Sequence, residues 1–366
     1  MRNSLTPGVL LLALLVLPGQ AFADTRSDYK RGLEAYRDGE LMEAADYFKR
    51  SADKGYLKAQ VELAGMYLRG EGLEEDAGVA ASWYLKAARQ GDAGAQYQLA
   101  ELFREGKGVT EDATRAYRWL RRAALQGLAE AQYDLGLAYL HGDGIRQDSA
   151  RAARWFLHAA EQGLALAQYR LAAAYFQGNG VEQDQTLAAR WLERAAKQGD
   201  RQSQFDLGML HIDGTGVGQD YDQAKYWLEK AAGQGSHQAQ YNIGLMFERG
   251  LGVERDLGKA AEWFLKAAEK GDPAAQFSLA KLYVLGKGLP RDYVMAYAWL
   301  NLAAAREFPT ASRSLRILEE EMAKGEFTAV LHCFTAGAEL ARRGVDLGLY
   351  AGQRLVDRHQ GHAIQP

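Results

Sequence analysis

The sequence has a single cysteine, Cys333, among its 366 residues. One cysteine excludes an intrachain disulfide framework and any metal site made of several cysteines. The formal net charge is only -3, and charged residues make up 25% of the chain. Bulk charge therefore does not favour nucleic acid or an anionic membrane as the partner. Beyond residue 17, no apolar run is long enough to anchor the chain stably in a membrane.

The first 23 residues have the features of a secretory signal peptide. Arg2 supplies a positive charge, residues 9–17 form a short apolar run, and a small-x-small pattern ends at Ala23. A run of this length is too short for a stable membrane anchor. We therefore expect cleavage near Ala23/Asp24 and a periplasmic or secreted location, with an uncleaved anchor as the alternative. No cysteine lies next to the run, which disfavours a lipid anchor.

A repeat of 36 residues organises most of the chain. Every tryptophan keeps this spacing: Trp83, Trp119, Trp155, Trp191, Trp227, Trp263 and Trp299. A small residue followed by glutamine keeps it too: Ala59-Gln60, Ala95-Gln96, Ala131-Gln132, Ala167-Gln168, Ser203-Gln204, Ala239-Gln240 and Ala275-Gln276. Pairs of glycines separated by one residue recur in the same register. A fixed period between 20 and 50 residues is typical of a solenoid.

Each repeat predicts two helices, A and B. Counted from the small residue, positions four, five and eight are apolar or small, as in Leu135, Gly136 and Tyr139, and share one face of helix A. The glycine pair ends helix A because glycine readily adopts positive φ. An aspartate such as Asp148 is placed to cap helix B. The recurring glutamine predicts a hydrogen bond between stacked repeats.

This framework of Ala-Gln, Leu-Gly, Gly-x-Gly, Asp, Trp and Ala-Ala resembles the Sel-one-like repeat family, a branch of the tetratricopeptide-like α-solenoids. The resemblance implies an all-α, right-handed α–α superhelix of helix-turn-helix repeats. It also implies a non-enzymatic adaptor, because many bacterial members act as scaffolds in the cell envelope. A cysteine-rich branch of the family has been linked to penicillin binding and β-lactamase activity. This chain lacks the disulfide pairs of that branch, so we do not expect that activity.

The predicted organisation has five parts. Residues 1–23 are the signal peptide, and 24–55 form a shorter, tetratricopeptide-like hairpin that caps the N-terminal end. Residues 56–307 hold seven repeats. Residues 308–352 form capping helices, predicted at 310–323 and 326–341, that bury the last open face or dock a partner. Residues 353–366 are polar and are expected to be disordered.

The repeats differ most at positions three, six and ten after the small residue of helix A, which we call the variable face. These positions lie opposite the core positions, so we expect them to line one surface, the concave one, and to bind a protein partner. Position six is apolar or small in four consecutive repeats. Burial between neighbouring A helices explains such residues equally well. The candidate partner-binding residues are Asp134, Leu137, His141, Arg170, Ala173, Asp206, Met209, Asp213, Asn242, Leu245 and Arg249.

Helix B is rich in arginine in two consecutive repeats. The residues are Arg115, Arg118, Arg121, Arg122, Arg151 and Arg154. A charged helix face of this kind is usually solvated and balanced by acidic residues. The alternative is contact with an acidic partner or an anionic glycan.

We predict no catalytic residue, no cofactor and no metal. The glycine pairs follow a helix, whereas a phosphate-binding loop follows a strand. Two His–Asp pairs are close enough in the sequence to suggest a metal site, but each pair supplies too few ligands: His141 with Asp143, and His211 with Asp213. Cys333 and His332 are consecutive, so within a helix they do not face each other.

The most consistent function is a periplasmic or secreted adaptor that binds proteins through the A helices, in envelope assembly, polysaccharide export or signalling. The alternative is a cell-wall or polysaccharide role, with glycan binding or atypical hydrolase activity. A glycan groove usually exposes aromatic platforms, and the variable positions hold none. We therefore expect a protein partner, with a glycan second, and neither nucleic acid nor a stable membrane anchor.

Overall fold

A computed structural model of the chain describes the backbone of residues 18–324 and the side chains of residues 25–320. Most of the expected signal peptide lies outside this range. So do the predicted helix at 326–341, the His332–Cys333 pair and the expected tail. Helix α1 (Pro18–Asp38) includes the expected cleavage position within its first turns.

The chain divides into two compact units between Gln183 and Asp184. The described part of the first unit contains α1, α2 (Leu41–Asp53), α3 (Leu57–Arg69), α4 (Ala77–Arg89), α5 (Ala93–Glu105), α6 (Ala113–Leu125), α7 (Ala129–His141), α8 (Ser149–Glu161) and α9 (Ala165–Gln177). The described part of the second contains α10 (Gln185–Lys197), α11 (Arg201–Asp213), α12 (Tyr221–Gly233), α13 (His237–Arg249), α14 (Leu257–Glu269), α15 (Pro273–Leu285), α16 (Tyr293–Ala305) and α17 (Ala311–Lys324).

Within each unit the helices pack in chain order. Helix A packs on helix B of its own repeat, as α7 does on α8, and α13 on α14. Each B helix then packs on the following A helix, as α6 does on α7, and α12 on α13. Over residues 18–324 every regular element is helical, so the predicted all-α fold of stacked helix pairs is confirmed. The helix predicted at 310–323 is also confirmed as α17, which packs on α16.

The core forms at the predicted positions of helix A. Leu135, Gly136 and Tyr139 are buried. A Cβ on Gly136 would come within 2.6 Å of the Phe156 ring of helix α8, so a side chain there would separate the two helices. The two helices therefore approach each other closely at this glycine.

The tryptophans lie inside the stacked hairpins. Trp83, Trp191 and Trp227 are buried, and the other four are half-buried. Where a basic residue follows three positions later it often covers the ring: Lys86 Nζ lies 3.5 Å from the Trp83 ring centroid, and the Arg122 guanidinium carbon lies 4.5 Å from that of Trp119. Such cation–π contacts close the outer side of the indole while the charge stays in water.

The glycine pair fits each repeat to the one before it. The first glycine, such as Gly142 with φ of 85°, ends helix A in the left-handed conformation, as predicted. The second, Gly144 with φ of 68°, lies against the backbone at the start of α6. A Cβ there would overlap the Ala113 carbonyl oxygen, so this position requires glycine for space as well as for conformation.

The predicted aspartate caps are confirmed. Asp148 Oδ1 accepts a hydrogen bond from the Arg151 amide at 2.9 Å, and the Asp148 amide donates to the Tyr139 carbonyl at 2.8 Å. This one residue therefore satisfies an otherwise unpaired helix amide and joins the start of helix B to the end of helix A.

The recurring glutamine makes two hydrogen bonds, one to the preceding repeat and one to the end of helix B of its own repeat. Gln96 Nε2 donates to the carbonyl of Ala88 at 3.0 Å, and its Oε1 accepts from Gln126 Nε2 at 2.8 Å. The predicted structural role is confirmed. The second partner was not predicted, although a glutamine thirty residues further along recurs in the sequence at Gln90, Gln126, Gln162, Gln198 and Gln234.

This glutamine pairing stops near the C-terminal end of the second unit. Lys270 occupies the position of the second glutamine and donates to the Gly235 carbonyl at 3.3 Å. The buried Oε1 of Gln240 then has no hydrogen-bond partner among the described residues. A buried acceptor without a donor destabilises the fold.

We expect Lys270→Gln to stabilise the protein by about 1 kcal/mol, because the new amide can donate to Gln240 as Gln234 does to Gln204. The matched reverse change, Gln234→Lys, removes the donor to Gln204 and should destabilise by about 1–3 kcal/mol. Urea unfolding followed by circular dichroism measures both. An unchanged or lowered midpoint for Lys270→Gln would contradict the proposed importance of this hydrogen bond.

Candidate functional site

The variable face is only partly open to solvent. In the candidate repeats of each unit, positions three and six are half-buried and position ten is exposed. Gln177, at position ten of α9, is exposed as well but is not one of the candidate residues. The half-buried candidates are Asp134, Leu137, Arg170, Ala173, Asp206, Met209, Asn242 and Leu245. The exposed candidates are His141, Asp213 and Arg249. The structure therefore brings these residues to the same register of successive A helices within each unit.

The sequence left two alternatives for the apolar residues at position six, contact with a partner and burial between neighbouring A helices, and each of these residues is only partly buried. Leu137, Met209 and Leu245 are each half-buried. Leu245 packs against the buried cluster formed by α14 and α15. Part of each side chain thus supports the stack of repeats, and the remaining part is available to a partner.

Leu166 is a surface residue of this face that the sequence reasoning missed. It lies one position before the small residue of α9 and is 52% exposed. At 100° per residue, this position falls on the same side of helix A as positions three, six and ten. Extending the variable positions by one turn towards the start of the helix would have identified it.

A hydrogen bond joins consecutive A helices across the variable face of the first unit. The Tyr97 hydroxyl of α5 donates to Asp134 Oδ2 of α7 at 2.7 Å. Burial raises the pKa of Asp134, while the hydrogen bond from Tyr97 acts in the opposite direction. Burial and the neighbouring carboxylate also raise the pKa of Tyr97. The Tyr97 hydroxyl therefore remains the donor of this hydrogen bond and Asp134 Oδ2 the acceptor.

Other carboxylates near this face are held by fixed partners. In the first unit, Arg104 donates to Glu101 through Nε at 3.1 Å and through Nη2 at 2.5 Å, and this pairing raises the pKa of the guanidinium. In the second unit, Lys281 of α15 lies 3.2 Å from Glu248 of α13. Such pairs give the surface a defined pattern of charge, although exposed pairs add little stability.

The histidines do not form a metal site in the part of the chain that the structure describes. Between residues 25 and 320, no three His, Cys, Asp or Glu side chains are close enough to hold a metal ion. His141 is exposed. His211 is half-buried at the position where other repeats carry Tyr or Phe. Across residues 18–324, no helix combines the length and apolar character needed to cross a bilayer.

Comparison with family models identifies the repeats. The model of the Sel1 repeat matches residues 27–56, 57–92, 93–128, 129–164, 165–200, 201–236, 237–272 and 273–308. The chain belongs to the Sel1 repeat family. The first matched segment is the one expected from the sequence to be a tetratricopeptide-like cap, so the Sel1 pattern extends into it.

Two solved structures of Sel1 repeat proteins are similar to this chain. One is c5321, a protective antigen of uropathogenic Escherichia coli with an SLR fold, at 34% identity and a TM-score of 0.79. The match covers 83% of this chain and 66% of that chain, so it spans just under two thirds of the relative. The other is a Sel1 repeat protein from Oxalobacter formigenes, at 34% identity and a TM-score of 0.65, covering 82% and 88% of the respective chains. No curated protein matches the chain.

Membership of the family defines the general kind of function. Sel1 repeats form scaffolds for protein–protein interaction, and proteins built from them are typically not catalysts. The variable face is consistent with this kind of function because its residues change from repeat to repeat while the residues that stack the repeats do not.

Asp134→Asn should stabilise the protein at pH 7, because it removes a buried charge and keeps an acceptor for Tyr97. The raised pKa of Asp134 means that folding favours its protonated carboxyl. The wild type therefore has its full stability from this residue below the ordinary Asp pKa of about 3.9. The wild type loses that stability as the pH rises through the raised pKa of Asp134, whereas the asparagine variant does not. We therefore expect the variant to melt higher than the wild type at pH 7 and at the same temperature near pH 4. The exposed Asp143→Asn is the control, and equal melting of all three proteins at pH 7 would refute the prediction.

Proposed function

We propose that the chain is a non-catalytic adaptor that binds a partner protein on the variable face of its A helices. The observation that carries this proposal is that Leu137 and Leu166 lie on the same side of consecutive A helices, α7 and α9, one half-buried and the other 52% exposed. Apolar side chains grouped on a surface and rimmed by polar residues are typical of a protein-binding site. Asp134, Arg170 and His141 provide a polar margin on the same two helices.

A protein fits this face better than a glycan does. Sugar-binding grooves present aromatic rings with a free side. The aromatic residues beside the variable face instead pack inward: Tyr133 lies 5.8 Å from Phe156, and Tyr241 lies 5.5 Å from Phe264, between ring centroids. The leucines and the fixed charged pairs provide the apolar contacts and polar margin that a folded or helical protein partner uses.

We further propose that the adaptor acts in the periplasm or outside the cell, in envelope assembly, polysaccharide export or signalling. The signal-peptide features of residues 1–23 support an exported protein. The similar protein c5321 is described as a protective antigen, which is consistent with exposure outside the cytoplasm.

Export is tested by expressing the full chain with a C-terminal tag in a Gram-negative host. We expect the protein in the periplasm or medium, with an N-terminus at Asp24 by mass spectrometry. Ala21→Arg together with Ala23→Arg should block processing, because the cleavage site needs small residues. A protein that keeps residues 1–23 and remains in the cytoplasm would contradict the proposed location.

Partner binding is tested by cross-linking and affinity capture from an envelope extract, with identification by mass spectrometry. The variants are Leu137→Asp and Leu166→Asp on the variable face. The matched control is Leu125→Asp at the end of α6, where leucine is 59% exposed but lies on helix B. We expect the face variants to lose the specific partner, which the wild type and the control retain, because a charge in an apolar contact must be desolvated.

Circular dichroism and melting temperatures establish that the variants are folded. Capture of the same partner by folded Leu137→Asp and Leu166→Asp proteins would remove the variable face as the binding surface.

A further inference from the structure

A basic surface covers the outer side of the B helices α4, α6 and α8 in the first unit, and the proposed adaptor site on the A helices does not use it. Helix α6 carries four arginines and no acidic residue. Helix α4 carries basic residues and no acidic residue, and α8 has one acidic residue, Glu161, at its last position. We call this surface the basic face. Its exposed members are Lys86, Arg89, Arg115, Arg118, Arg121, Arg122, Arg151 and Arg154.

The B helices of the second unit show how a solvated helix face is built in this chain. On α12 and α14 basic residues alternate with acidic ones, whereas α10 carries three basic residues and one acidic residue, Glu193. Lys197 lies 2.7 Å from Glu193 on α10, and Lys225 lies 3.0 Å from Glu229 on α12. Helix α14 likewise carries both Lys266 and Glu269. The basic face of the first unit lacks this balance, although the whole chain has a formal net charge of -3.

Several arginines of the basic face are left without acidic partners. Arg115 and Arg151 each lie 3.2 Å from the cap aspartate of their own helix, which also accepts a helix amide. Arg118, Arg121 and Arg154 are exposed, and none forms an ion pair with a residue that the structure describes. Like charges in this arrangement repel one another, so an incoming acidic group would relieve the repulsion.

The spacing of the arginines follows the helical repeat. Arg115, Arg118 and Arg122 are three and four residues apart, so their positions along α6 are about 5–6 Å apart. Helices α6 and α8 both pack on α7, and Arg151 and Arg154 occupy the same repeat positions on α8 as Arg115 and Arg118 on α6. The basic face therefore presents a row of three guanidinium groups on α6 and, at matching positions, two on α8.

We propose that the basic face binds an acidic α-helical segment of a partner protein, whose carboxylates recur every three or four residues. That recurrence gives the same step of about 5–6 Å as the arginine rows. The forked guanidinium also favours planar carboxylate groups, with which it forms two parallel hydrogen bonds. This inference goes beyond the variable face and does not depend on it, and it gives the adaptor a second binding surface.

The basic face is poorly suited to a lipid surface. Proteins that bind membranes through a basic helix also insert large apolar side chains. On α4, α6 and α8, Leu125 is the one large apolar side chain that is strongly exposed.

The test measures binding of the purified full chain to fluorescent peptides by anisotropy. The probe is a helical peptide of about 20 residues, about 30 Å long, with glutamates on one side at spacings of three and four. The comparison peptide has the same composition and helicity with its glutamates spread around the helix. Heparin and vesicles containing anionic lipid are measured alongside. Each titration is done at low salt and at about 300 mM salt, where charges are strongly screened.

We expect the patterned peptide to bind at low salt, more tightly than the comparison peptide, and to weaken as salt is added. The triple variant Arg118→Gln, Arg121→Gln and Arg154→Gln should bind it about tenfold more weakly. The matched control Lys230→Gln, Lys259→Gln and Lys266→Gln removes the same charge from the second unit and should bind like the wild type.

Four results would overturn the proposal. They are no binding of the patterned peptide, equal binding of both peptides, unchanged binding by the folded arginine variant, and tighter binding to heparin or vesicles than to the patterned peptide.

Discussion

The packing of each A helix against the B helix of the preceding repeat is the constraint on which the rest of this protein depends. The glutamine amide at that junction bonds to a carbonyl at the end of the preceding helix, as Gln96 does to Ala88. The second loop glycine of each repeat lets its loop approach the start of the preceding B helix without a side chain between them, as Gly144 does at the start of α6. Both contacts depend on residues that cannot be replaced easily, so they recur in all seven repeats between residues 56 and 307 and leave these positions unable to vary for function.

Variation is therefore confined to the two outer sides of each helix pair, and the two sides differ in chemistry. The A helices carry leucines whose side chains are partly packed in the stack of repeats and partly exposed to solvent. Tyr97 and Arg104 hydrogen-bond the carboxylates beside them. The B helices α6 and α8 of the first unit offer exposed arginines, one of which, Arg122, lies over the half-buried Trp119. A scaffold with one apolar and one basic side can hold two partners of different chemistry, and a regular repeat keeps their attachment points at fixed positions along each unit.

Most of the fold could be predicted from residue spacing. The helix limits, the left-handed glycine at the end of helix A and the aspartate cap of helix B depend on φ preferences and on hydrogen bonds within a few residues. The recurring glutamine was correctly expected to bond between repeats, but its second partner, thirty residues further along, was not. The candidate site was predicted only as a set of positions, and Leu166 was missed because the variable positions were counted from the small residue onwards.

The sequence by itself determined the 36-residue period, the helix pairs and the side of helix A that varies, because these follow from local geometry and the identity of repeated residues. Only the tertiary structure decided that Leu137 and Met209 are half-buried, that Asp134 receives the Tyr97 hydroxyl, and that Gln240 lacks a donor. Exposure and pairing at these places depend on the distance and rotation between neighbouring helices. Repeat spacing does not specify that geometry, because it arises from the packing of all the side chains between the helices.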